Sequence, residues 1–202
     1  SNAVTIADAG AFSVGLGSMV LIKTLTASSS STLSFVDGAA SVVLDSTYPI
    51  YKFEFIDIHP ATDAAEFQFQ GNAAGGSGYN ETITSTGFAP RHSEDDTSEV
   101  GMSYQSANDK AQGTTFQDIF LNAGNANDEC ISGFLTLFNP SSTTFVKHFI
   151  SRVQGSHNAN SSFEYFFAGY FNTTAAIDEI RFQMSSGNID AGKIKLYGIK
   201  DS

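Results

Sequence analysis

Apolar residues recur at alternate positions through most of the chain, the period of half-buried β-strands. Between Ile50 and Ile58, Tyr51, Phe53 and Phe55 alternate with Lys52 and Glu54, which sends the rings to a core and the charges to water. His59 and Pro60 end that strand. Glu66 to Gln70 repeats the pattern with Phe67 and Phe69 inward, across a short polar link suited to an antiparallel partner. Upstream, Ser18 to Ala27 (SMVLIKTLTA) and Thr32 to Asp37 (TLSFVD) predict a hairpin around the serine run Ser28 to Ser31. Ala39 to Ser46 adds a short apolar piece, VVL. The clearest stretch is Ile177 to Ile199. Ile180, Phe182 and Met184 alternate with Arg181 and Gln183, and Ile194, Leu196 and Gly198 share a face further on. Turn residues from Ser185 to Gly192 separate the two arms and predict a terminal hairpin with a small loop or bulge.

The middle of the chain is less regular. Gly71 to Tyr79 is a glycine-rich loop and Asn80 to Thr86 a threonine-rich strand. Phe88 to Gly113 reads as a long acidic insertion holding Arg91, His92, Glu94, Asp95, Asp96 and Glu99 around one short strand, Val100 to Gln105. Strands follow at Thr114 to Asn122, at Cys130 to Phe138 and, after a tight turn at Asn139 to Ser142, at Thr144 to Val153. CISGFLTLF is apolar at both parities, which fits a central strand covered on both faces. Phe163 to Phe171 is dense in aromatics and reads either as a core strand or as part of a subunit interface. No segment sustains a helical period. The expectation is an all-β, antiparallel β-sandwich of jelly-roll type with about ten to twelve short strands. It forms one domain over residues 18–202, behind an N-terminal arm from Ser1 to Gly17 that packs on a neighbouring subunit or on a larger particle, or is a flexible end.

Composition agrees with a folded sandwich: 41% of residues are hydrophobic and only 15% charged, with 18 Phe, 7 Tyr and no Trp to build the core. A net charge of −11 with ten dispersed Lys and Arg argues against a nucleic-acid surface, which needs clustered cations. The bland alternative is solubility at high local concentration. The lone Cys130 excludes an internal disulfide and a multi-cysteine metal site. No apolar run approaches the ~20 residues of a membrane span, and no signal-peptide pattern opens the chain, so neither membrane insertion nor export is expected.

Candidate chemistry is sparse. GNAAGGSG lacks the lysine and following helix of a phosphate loop, and SEDDTSE lacks the alternating ladder and glycine of a calcium loop. His59, His92, His148 and His157 show no zinc spacing. Asp57 and His59 share a strand face, a spacing that either orients an imidazole or leaves His59 in a local hydrogen bond. No nucleophile elbow is present, carboxylate pairs have no positive support, and no catalytic residue, metal or cofactor is expected. Three Asn-x-Ser/Thr sequons carry no meaning without secretion. Loops are where such a protein meets a partner. The candidate contact residues are therefore Tyr79 in the glycine-rich loop and Arg91, His92, Glu94, Asp95 and Asp96 in the acidic one.

The stretch FQMSSGNIDAGKIKLYGIK near the C-terminus resembles the closing hairpin of a group of tailed-bacteriophage virion proteins, labelled tail fibre or uncharacterised structural protein. FNPSSTTFVKHFIS, FNTTAAIDEI and FQFQGNAAGGSGYNETITS are similar to members of the same group, so the resemblance covers about Leu21 to Lys200. It implies a non-enzymatic structural protein of a tail fibre or receptor-facing tail appendage. Its implied partners are further copies of itself, most often in a trimer, and other virion proteins. The implied location is the virion, after synthesis in the host cytoplasm. A capsid decoration protein is a near competitor within that class. From another class, a carbohydrate-binding module would recognise host surface glycans through exposed tyrosines.

Overall fold

The computed structural model describes residues 18–96 and 100–201. The expected N-terminal arm and Glu99 lie outside the described residues. Twelve strands follow one another: β1 (Met19–Thr26), β2 (Leu33–Val36), β3 (Ile50–Pro60), β4 (Ala65–Ala73), β5 (Ile83–Ser93) and β6 (Gly101–Tyr104), then β7 (Gln117–Ala123), β8 (Ile131–Phe138), β9 (Lys147–His157), β10 (Ser161–Phe171), β11 (Ile177–Met184) and β12 (Ile189–Ile199). Among the described residues all strand pairings are antiparallel and no helix forms.

Two four-stranded sheets form the centre, ordered β1-β12-β3-β8 and β2-β11-β4-β7. Each pair in one sheet is matched in the other by the pair one step along the chain: β1·β12 by β2·β11, β12·β3 by β11·β4, β3·β8 by β4·β7. Consecutive strands therefore cross from sheet to sheet, which is the double Greek key of a jelly roll. Four further strands extend the first sheet beyond β8 in the order β9-β10-β5-β6. A single bridge between Ala123 and His157 ties β7 back to β9.

Alternation places the core between the sheets. Phe35, Phe67, Phe69 and Phe182 from the small sheet meet Phe53, Phe55 and Phe149 from the large one, all essentially inaccessible to water. Phe182 touches five of these rings, those of Phe35, Phe53, Phe55, Phe67 and Phe69, at centroid separations between 5.2 and 6.4 Å. At β10, Phe163, Tyr165, Phe167 and Phe171 point inward, so most of the aromatic run is core.

Three hairpin expectations are corrected. β11 and β12 do not pair with each other: β11 lies between β4 and β2, and β12 between β1 and β3. Likewise β1 and β2, and β3 and β4, sit in opposite sheets. Alternation is the same whether a chain turns back in its own sheet or crosses the ~10 Å to the other, so the pattern alone does not choose. The crossings after β3 and β11 run side by side, with Ala61 N donating to Asn188 O at 3.0 Å and Ser185 N to Glu66 O at 2.9 Å. The turns after β8 and β9 are true hairpins.

Two strand assignments also change. β5 runs on through Phe88 to Ser93, so Arg91 and His92 belong to a strand rather than to the acidic loop. Pro90 signals a break there, but its only neighbour on one side is the four-residue edge strand β6, where a missing N–H is tolerated. β8 is central in its sheet, yet its outward Phe134 and Phe138 are only half-buried, so it is covered on one face.

Candidate functional site

The two contact loops expected from sequence lie on different parts of the fold. Tyr79 is turned inward and only 7% exposed. Its hydroxyl donates to Glu179 Oε2 at 2.5 Å, and the Arg181 guanidinium sits 3.7 Å above its ring while donating to Ser34 Oγ at 3.0 Å. Burial and the Glu179 carboxylate push the phenol above its ordinary pKa. Tyr79 thus fastens its loop to the small sheet and presents no ring to a partner.

Arg91 points under β5, where it donates to Ser103 Oγ at 2.9 Å and lies 5.8 Å from the Phe163 ring. His92 is exposed, 3.3 Å from Asp96. Glu94 N donates to Asn160 O at 3.0 Å and Ser93 Oγ to Asp95 Oδ1 at 2.7 Å, so this acidic turn rests on the β9–β10 turn. Among the described residues no three His, Cys, Asp or Glu side chains come together to hold a metal ion. His59 bonds to Ala126 O at 3.2 Å, and a bulge at Asp57 takes that carboxylate off the strand alternation.

Asp178 lies beside Glu179, and its Oδ1 is buried without a protein hydrogen-bond partner. Burial pushes its carboxyl above the ordinary 3.8, with the charges of Glu179 and Asp37 adding to the rise. A raised folded-state carboxyl pKa penalises the fold when ionised: the penalty is absent below the unfolded value and complete above the folded one. Asp178→Asn is therefore expected to raise the thermal midpoint at pH 7 and leave it unchanged near pH 3. An equal shift at both pH values would show that charge is not the cause.

The unexpected surface is the outer face of the extension β9-β10-β5-β6. Register brings Arg152, Phe166, Phe88 and Tyr104 into one rank across the four strands. Phe88 and Phe166 stack at 4.8 Å with 6° between planes, and Arg152 lies 5.2 Å from the Phe166 centroid while pairing with Glu164 at 2.5 Å. Phe88 is 43% exposed, Ile150 48%, Tyr104 59% and Met102 71%. Next to this rank, small Ala168 and Thr84 leave an apolar groove of about 520 Å³ walled by Phe138, His148, Ile150 and Tyr170. One sequence signal marked it: in FEYFFAGYF, Phe166 stands between the inward Tyr165 and Phe167, so an alternating strand must send it outward.

The glycan alternative asked for exposed, parallel tyrosine rings. Tyr48 meets Tyr51 edge-on at 89°, Tyr51 and Tyr165 are buried, and the parallel pair at the surface is made of phenylalanines. Compared with family models, curated proteins and solved structures, the chain matches none.

Proposed function

We propose that this chain is a non-enzymatic structural protein of a tailed-bacteriophage virion, a jelly-roll domain that assembles with copies of itself in a tail fibre or receptor-facing tail appendage. The observation that carries the reading is the place of the resemblance-bearing stretch. It holds the end of β11 and the whole of β12, interior strands of opposite sheets, so this resemblance-bearing stretch lies at the centre of the jelly roll. Jelly rolls recur in viral coat proteins and in lectins, so the fold is compatible with the class without defining it. A charge of −11 keeps such a chain dispersed before assembly.

The assembly half of this reading is tested by sedimentation of the full chain at high micromolar concentration. The expected mass is three times the 21.5 kDa of one chain. A monomer under those conditions would defeat the homo-oligomer reading.

A further inference from the structure

We infer that the outer face of β9-β10-β5-β6 is the surface on which a second copy of this chain packs, with Phe145 of one copy seated in the groove of the next. The inference deepens the assembly reading above and rests on it.

Area comes first. At ~200 Å² for each large side chain, the exposed parts of Phe88, Met102, Tyr104 and Ile150 amount to on the order of 450 Å². An apolar area of that size matches the largest patch of a typical monomer, which is often a functional one. A standard interface buries about 800 Å² per partner, and the half-exposed Phe166, Tyr170 and Pro90 lie on the same face and add toward it.

Charge then favours a like partner. Two copies of a chain carrying −11 repel each other at most approaches. Along the outward positions of these four strands the only formal charges are Arg152 and Glu164, which neutralise each other in contact, while the carboxylates of Asp109, which accepts from the Tyr104 hydroxyl, and Asp96, paired with His92, lie at the rim. At the centre of this face two copies can close together without opposing like charges.

Shape supplies the third argument. Phe145, on the turn leading into β9, is 69% exposed, yet its backbone is held firmly. Its N–H donates to Ser142 Oγ at 3.0 Å, and its carbonyl accepts from the Lys147 ammonium at 2.9 Å. Lys147 is fully buried and also donates to Thr173 O at 3.1 Å. Burying an ammonium is costly, and burial pushes its pKa below the ordinary lysine range. The device fixes a turn whose only large apolar residue projects into water. A fixed phenyl knob and an apolar groove at different places on the same chain are the two halves of a head-to-tail contact, the kind that closes into a ring such as the trimer expected above.

Sedimentation of variants of the full chain tests this. Ile150→Lys is expected to weaken self-association at least ~30-fold, and Phe145→Ala at least ~10-fold, with circular dichroism unchanged. Met102→Lys, on the short edge strand, carries the same expectation as Ile150→Lys should the latter fail to fold. If the wild type is oligomeric and a folded variant keeps its mass, this face is not the interface, although assembly itself stands. If the wild type is monomeric, the assembly reading falls and this inference with it. Binding of a saccharide by the wild type that Ile150→Lys abolishes without changing mass would assign the face to a glycan and overturn the inference.

Discussion

Phe182→Ala is expected to lower the unfolding free energy by about 4 kcal/mol, the middle of the range for truncating a buried phenylalanine. Phe182 is inaccessible to water and stands on the interior strand of the small sheet, in contact with rings from both sheets. Two of those rings, Phe53 and Phe55, come from β3 across the sandwich. The others, on β2 and β4, are flanked by backbone ladders that hold them in place, so the space left by Phe182 cannot collapse. For a domain of this size each kcal/mol moves the midpoint by about 2–4 °C, so a fall of roughly 8–16 °C is expected by calorimetry. Phe182→Leu, which keeps most of the volume, should lose less than half as much. Equal losses in the two variants would mean that the five-ring contact is not what the residue contributes.

Gly192→Val is expected to cost about 3 kcal/mol or more through the backbone. The register of β12 against β3 shifts on both sides of Ala191, and β3 carries its own shift against β8 between Phe55 and Ile58. Gly192 lies where these irregularities meet, with φ of +112°. A Cβ there would come within 2.5 Å of Asp57 O and 2.8 Å of Ile58 Cα, and neither backbone atom can yield as a flexible side chain would. Gly192 O also accepts from Ala27 N at 2.9 Å, so the disturbance should reach β1. Gly75 provides the comparison: φ is +77°, but nothing lies within 4 Å of its Cβ position, so Gly75→Ala should cost only about 1 kcal/mol. Urea unfolding measures both, and amide exchange should show the loss concentrated in β1, β12 and β3.

The residue alternation made the all-β character and most of the strands legible. Tyr51, Phe53 and Phe55, or Phe67 and Phe69, announce inward faces because their neighbours are charged or polar. What alternation does not encode is the sheet to which the next strand goes. The links Ala61 to Ala64 and Ser185 to Asn188 are short and polar, as hairpin turns are, yet both cross the sandwich. The run of β5 past Phe88 was not legible either, since whether a strand tolerates Pro90 depends on a neighbour that only the fold supplies. The contact residues taken from loop composition, Tyr79 and Arg91, turned out to be fastened inward by Glu179 and Ser103. The apolar outer face was readable in part: Phe166 was marked by its parity. Phe88, Met102 and Tyr104 became its neighbours only through pairings between β10, β5 and β6.

The proposed place in a virion is tested most directly by cryo-electron microscopy of the intact phage particle encoded with this chain. The account predicts density at the tail into which the two-sheet jelly roll fits, repeated about the tail axis with the Phe88 and Phe166 face turned toward the next copy. Density over the capsid lattice would contradict the tail placement and favour a decoration protein. A complete particle with no density for this chain would contradict the structural role altogether.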